Sequence, residues 1–360
     1  MRTLRDVARA RLRAQRLVGR PLDAPADVVR WMGAVQSQER AISRWSVAQR
    51  MADPDPDTVD RALAEGSIVR THVLRPTWHY VAADDLRWMV ELTAPRVHQL
   101  NKHYYGEVGI DEALVRRSRR ALEGALRDGG ALTRAELAER LRRARVGADV
   151  RQLGYLLMRA ELDLLICGGP PRGKHHSYAL VDARAPHARA LPRDQALAEL
   201  ATRYFQSHGP ATLKDFTWWS SLTMADARRA VEAARLERVT VRERDYWSAG
   251  EPPPARPRAP SAHLIQGYDE SVVAYRDSRD VYGGPTSLAS FTAGPRGFLH
   301  SALVGERMAG LWRASASTRR LGIEMRLVTK LSARERKALG AAAERYGRFV
   351  GKEITLAYVR

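Results

Sequence analysis

Cysteine is almost missing from this 360-residue chain, and lysine is scarce: only six of the 60 Lys and Arg residues are Lys. The single cysteine, Cys167, excludes an internal disulfide framework and a multi-cysteine metal site. It lies in the apolar stretch LDLLICGG, where a small buried core residue is expected rather than a nucleophile. A chain without disulfides is expected in the cytoplasm. No run of 18 apolar residues occurs, so a membrane is not an expected partner. The start, MRTLRDVARARLRAQRLVG, lacks the apolar core and small-residue cleavage site of a signal peptide. It reads as a helix with Leu4, Val7, Ala8, Leu12 and Leu17 on its inner face. Also missing are a P-loop, a GxGxxG after a strand and an HExxH. Gly106 and Gly109 are too isolated to cradle phosphate, and His175 and His176 have no companions at metal-binding spacing. Neither a cofactor nor a metal is expected.

What the chain has in excess is positive charge. Lys plus Arg exceeds Asp plus Glu by 60 to 41, a formal net charge of +19. The weight of Arg over Lys fits GC-rich coding, but acidic residues are common too, so the imbalance itself is not a codon effect. It suits a polyanionic partner, and double-stranded DNA is the expected one, with no obligate protein partner.

At this length two to four modules are expected. Three stretches repeat one order, helices followed by a short hairpin. In the first, helices are expected over 4–17, from Pro25 to a Gly33 stop, over 39–51 and over 58–64. Strands Ile68–His72 and Thr77–Val81 follow, joined around Arg75-Pro76. In the second, helices over 112–127, 133–141 and 150–161 precede strands 164–167 and 178–181. Thr133-Arg134-Ala135-Glu136 reads as a capping box, and the loop 168–176 between those strands is rich in breakers and bases. The third runs through helices 194–208, 212–220 and 223–236 to a strand at 239–242. A proline-dense linker, 251–260, leads to strands at 263–267, 298–304, 310–313 and 324–327 and a helix over 332–349. The expected class is α+β: winged-helix modules over 1–108, 109–190 and 191–250, then a mixed, β-rich region over 261–360.

The most informative segment is GAVQSQER, residues 33–40. Gln36 and Gln38 would lie about 200° apart on an α-helix and could not share a site. They converge only if the link between the second and third helices is extended or turned, with Ser37 a candidate N-cap. The residues alone also allow both amides simply to cap the third helix. Asp269, Glu270, Tyr275, Arg276 and Asp277 form a polar cluster, either a site carboxylate at Asp269 or a terminus held by an ion pair. Glu39 is a candidate base or a residue that complements the helix dipole. His79 shares a strand face with Thr77 and Val81 and reads as site support or a structural histidine. Trp218 and Trp219, in TLKDFTWWS, read as core rather than as a base-stacking platform.

Gln36-Ser37-Gln38 between two N-terminal helices resembles the Gln-x-Gln motif of the AlkZ branch of the AlkZ/YcaQ-type winged-helix DNA glycosylases; the YcaQ branch carries Gln-x-Asp. LRPTWHYVAADDLRWM (74–89), GPATLKDFTWW (209–219) and GYDESVVAYRD (267–277) are similar to the same family, in the same order. The resemblance implies three tandem winged helices and a β-rich part in a C shape around DNA. It also implies excision of N-alkylated purines, interstrand crosslinks included, in repair of alkylation damage or in self-resistance to an antibiotic. Gln36 and Gln38 would be the catalytic pair. Such chemistry is reasonable for neutral amides, because an N7-alkylated guanine is already cationic and its departure needs no proton. What remains is to place water and to stabilise the sugar cation. No Lys stands near the pair, so a monofunctional enzyme is expected, inactive on unmodified purines. Candidate phosphate contacts are Arg40, Arg44 and Arg50 on the third helix, Arg70 and Arg75 on the hairpin, and Arg172, Lys174 and His175 in the basic loop. The rival readings are a winged-helix regulator and a silent damage-binding protein of the same fold.

Overall fold

The computed structural model describes residues 1–147, 149–173, 175–249, 260–283, 300–317 and 319–359. The first part contains α1 (Leu4–Ala14), α2 (Pro25–Met32), β1 (Val35–Gln36), α3 (Arg40–Ala48), α4 (Pro56–Glu65), β2 (Ile68–Val73), β3 (Arg75–Ala82) and α5 (Leu86–Glu107). Its sheet has the order β1-β3-β2 and is antiparallel throughout. The hairpin turns at Leu74, which has φ +64°, and Arg75-Pro76 open β3 instead of forming the turn. The 22-residue α5 was not anticipated, because Pro95 lies inside it and proline removes a helix hydrogen bond. Burial of Leu86, Trp88, Met89, Val90, Leu92 and Val97 carries the helix through that break.

The second part holds α6 (Glu112–Leu126), β4 (Leu132–Thr133), α7 (Arg134–Arg143), α8 (Val150–Leu162), β5 (Ile166–Gly168), β6 (Ser177–Leu180) and the short α9 (Val181–Arg184), with sheet order β4-β6-β5. The capping box of Thr133 and Glu136 forms as the sequence predicts. The third part holds α10 (Arg193–Ser207), α11 (Leu213–Ser220), α12 (Met224–Ala233) and the hairpin of β7 (Glu237–Val241) and β8 (Arg244–Ser248), whose second strand was not anticipated.

The last part holds β9 (Ala262–Ile265), α13 (Glu270–Val273), β10 (His300–Val304), β11 (Arg307–Ala316), β12 (Arg320–Leu327), α14 (Ala333–Val350) and β13 (Glu353–Val359). They build a five-stranded sheet, β13-β12-β11-β10-β9, antiparallel except for the parallel β12–β13 pair that α14 connects. The mixed α+β class is as expected. Nearly all of the proline-dense linker, 251–259, lies outside the described residues.

The apolar clusters run across the sequence boundaries. Trp45 and Tyr80 of the first part pack with Leu264, Trp312, Tyr346 and Phe349 of the last, and the Trp45 and Tyr346 rings are 5.2 Å apart. A second cluster joins Val81, Met89 and Val97 to Cys167, Tyr204, Trp219 and Tyr275. Between these two cores lies the sheet β1-β3-β2. Strand alternation sends Tyr80 into the first cluster and Val81 into the second. Among the described residues, no helix is long and apolar enough to cross a membrane.

Candidate active site

Gly33 ends α2 with φ +76°, a backbone angle few other residues adopt without strain. The chain then runs extended through β1, where Gln36 pairs with His79 across the sheet. Ser37 N–H donates to Trp78 O at 2.7 Å. The link between the second and third helices is therefore extended through Gln36, as convergence of the two glutamines requires, but the chain bends at residues 38 and 39, and Gln38 is not among the residues that line the cleft Gln36 faces. Ser37 is not the N-cap of α3; Glu39 holds that position, without a side-chain hydrogen bond to the helix.

Gln36 is almost fully buried and is held at both ends. Its N–H donates to Glu270 Oε1 at 2.7 Å, and its Oε1 accepts from Arg75 Nη2 at 2.9 Å. Gln38 is half-buried, and its Oε1 has no partner among the described residues. Gln36 and Arg75 face a cleft of about 970 Å³, walled by Pro76, Thr77, Trp218, Tyr268 and Val273 and rimmed by Arg96, Leu100, Lys214, Arg276 and Asp277. Trp218 Nε1–H donates to Val273 O at 2.9 Å, and the Arg276 guanidinium lies 5.2 Å from the centre of the Trp218 ring.

Glu270 is wholly buried beneath this cleft. Its Oε2 accepts from Trp219 Nε1 at 2.9 Å and lies 3.4 Å from His208 Nε2. Burial works against its charge, but the contact with His208 and the nearby Arg75 and His79 outweigh it, and its pKa stays below the ordinary carboxylate value. Burial, with help from Arg75, pushes the His79 pKa down to about 3. The neutral ring places Nδ1 3.0 Å from Thr77 O, leaving Nε2 3.4 Å from Arg75 Nη2.

Asp269, the carboxylate the sequence singled out, is buried away from the cleft. It caps α13 through Ser271 N–H at 2.9 Å and pairs bidentately with Arg50, both bonds 2.8 Å. Arg50 pulls its pKa down to about 2 against the effect of burial. The bland reading, a helix terminus held by an ion pair, describes this residue. The carboxylate that touches Gln36 is its neighbour Glu270, which the sequence analysis placed in the polar cluster without singling it out. A signal existed: Asp is a far better N-cap than Glu, which assigns the cap to Asp269 and leaves Glu270 at the first helical position. Lys214 and the cleft-facing Trp218 were also missed, whereas Trp219 is core as expected.

The basic candidates separate into two groups. Arg50, Arg70 and Arg75 lie inside the protein, which corrects the expectation that they face phosphate. Arg50 is fully enclosed by its ion pair. Arg70 donates to Ser37 O at 3.2 Å and lies 4.2 Å from the centre of the Trp78 ring. Nearer the surface, Arg44 bonds Asp60 at 2.5 Å, and Arg40 lies 3.7 Å from the same carboxylate while donating to Gly173 O at 2.5 Å. Arg172 is half-exposed and held by Glu136 at 2.6 Å, with His175 exposed beside it. Glu39 is exposed at the start of α3. Lys174 lies outside the described residues. Among the described residues, no group of three His, Cys, Asp or Glu side chains is placed to hold a metal ion.

Residues 29–349 match the family model described as DNA glycosylase AlkZ-like. The chain is 28% identical over 225 residues to a Streptomyces sahachiroi protein named interstrand DNA cross-link repair glycosylase. That stretch covers 61% of this chain and 60% of the relative's length. The fold superposes on the solved structure titled Streptomyces sahachiroi DNA glycosylase AlkZ with a TM-score of 0.79 and 24% identity, covering 100% of both chains.

Proposed function

The chain belongs to the AlkZ-like DNA glycosylase family, and we propose that it hydrolyses the N-glycosidic bond of N7-alkylated, cationic purines in double-stranded DNA. The observation that carries this reading is the placement of Gln36. A neutral amide, fixed by Arg75 and Glu270, forms part of a cleft walled by an indole and rimmed by cations. Such a cleft can take a planar base against Trp218 and the flanking phosphates against Arg96, Arg276 and Lys214.

The chemistry asks little acid or base power of the protein. The alkylated base departs with the bonding electron pair and becomes neutral, the sugar becomes cationic, and water adds to C1′ and releases a proton. Gln38, with its unpartnered carbonyl oxygen, accepts a hydrogen bond from that water. Neutral amides avoid the cost of desolvating a carboxylate at the reacting centre. The cleft volume, near the upper end of the roughly 300–1,000 Å³ usual for ligand pockets, supports bulky adducts and crosslinked purines as substrates. The name of the Streptomyces sahachiroi relative points the same way, toward repair of interstrand crosslinks.

In this reading the three helix-and-hairpin parts are winged helices on a C-shaped chain that curves around the duplex. Arg40, Arg44, Arg172, Lys174 and His175 meet its backbone. Lys214 reaches the cleft rim but is exposed and lies 3.6 Å from Asp277. It acts there as a cation toward phosphate, and the enzyme is monofunctional, leaving an abasic site.

The test is release of free base from duplex carrying N7-methylguanine, by the wild type and by Gln36→Ala/Gln38→Ala. The expected result is excision by the wild type and DNA binding without excision by the variant. Tight binding to undamaged DNA without excision by either protein would make the chain a regulator and sink the enzyme reading.

A further inference from the structure

Gln36 has one side-chain oxygen, and Arg75 occupies it at 2.9 Å. A guanidinium carries five N–H donors and no acceptor, so the atom facing it must be the amide oxygen. The orientation of the amide is thereby set by chemistry. Arg75 is itself nearly enclosed, and its other terminal nitrogen donates to Val273 O at 3.2 Å. From the opposite side Glu270 takes the Gln36 backbone N–H, and Glu270 is fixed by Trp219 and by a helix cap that Arg50 holds through Asp269. Both the main chain and the carbonyl of Gln36 are spoken for. Its Nε2 has no acceptor among the described residues, and the residue lines the cleft.

We propose that Arg75 and Glu270 are positioning residues that turn the Gln36 amide nitrogen toward the cleft, so that Gln36 acts as a hydrogen-bond donor to the acceptor edge of the departing purine. This rests on the glycosylase reading and adds a division of labour to it. As the C1′–N bond breaks, its electron pair passes to the purine, the positive charge of the alkylated ring is cancelled, and electron density rises on its oxygen and nitrogen acceptors. A donor fixed at that edge therefore binds the transition state more tightly than the ground state. The water that captures the sugar cation is left to another acceptor, and the proton it loses passes to solvent.

The experiment is single-turnover release of N7-methylguanine by wild type, Gln36→Leu, Gln36→Glu and Arg75→Gln, with melting followed for each. Gln36→Glu keeps an oxygen for Arg75 but has no N–H to offer. Its rate is expected to fall about 100-fold, to the level of Gln36→Leu, the size of loss seen when a preorganised donor is removed. Arg75→Gln frees the amide to flip, and its maximal single-turnover rate is expected to fall at least about tenfold with the half-saturating enzyme concentration within about threefold. A Gln36→Glu enzyme within about threefold of an active wild type would overturn the inference alone, since the residue would then be an acceptor. If Gln36→Glu does not fold, Arg75→Gln decides: an unchanged maximal single-turnover rate overturns the inference and a selective fall in that rate supports it. An inactive, folded wild type would overturn the glycosylase reading and this inference with it.

Discussion

One methylene separates Asp269 from Glu270, and the two carboxylates are used differently. The shorter one reaches back to the N–H of Ser271 and caps α13; the longer one extends to Gln36 and Trp219. The Arg50 side chain that holds Asp269 uses all its donors on Asp269, Gln15 and Ser46. Removing it strands a buried carboxylate, so Arg50→Ala is expected to lose about 3–5 kcal/mol of stability. A urea midpoint close to that of the wild type would contradict this. At this scale the Gln pair was legible as a motif. The partners that give it a direction were not, because Arg75 and Glu270 lie 39 and 234 residues away from Gln36.

At the scale of elements, α11 shows how one helix divides its labour. Thr212 and Asp215 cap it reciprocally. Adjacent residues on a helix point about 100° apart, so Trp219 enters the core while Trp218 faces the cleft. Trp219→Ala is expected to cost about 3–5 kcal/mol in chemical unfolding. Trp218→Ala should leave the unfolding midpoint near that of the wild type. It should weaken binding of lesion-bearing duplex by roughly tenfold, the worth of one stacked base. Equal effects of the two substitutions on stability would show that the helix is seated differently. The cap of α7 was readable because it depends on residues three apart; α11 and α14 carry caps of the same spacing. The two-residue β1 was too short to show a period, and α5 was hidden by Pro95, whose local cost is overridden by long-range burial. Which tryptophan meets the cleft depends on what α11 packs against, and no local pattern records that.

For the whole molecule, charge and pH give separate handles. A net charge of +19 on a DNA-binding chain predicts affinity that falls steeply with salt. Arg44→Ala is expected to weaken binding alike on all sequences and to flatten the salt slope by about one. An unchanged slope would place that face of α3 away from DNA. His79 and His263 are buried, with pKa values pushed down to about 3 and about 4, mainly by burial and secondarily by Arg75 and Arg345. The unfolded chain protonates these rings near 6.5. Their full contribution is therefore present above that pH and is lost as pH falls toward 4. At pH 5 the loss is about 2 kcal/mol per histidine. Calorimetry at pH 7.5 and pH 5 should show a clearly lower melting temperature at pH 5; equal values would mean that the rings are not held neutral. The overall class was legible from the repeated order of helices and hairpins. The packing of the last part onto the first was not, because the contact between Trp45 and Tyr346 joins residues about 300 positions apart.

On the proposed function, a neutral amide held by Arg75 and Glu270 suffices because the substrate brings its own positive charge. The most direct measurement is chromatography of the free purines released from a duplex with a single N7-methylguanine among normal bases. On that function, N7-methylguanine alone is expected. Release of guanine or adenine at a comparable rate, or no release of N7-methylguanine, would contradict it.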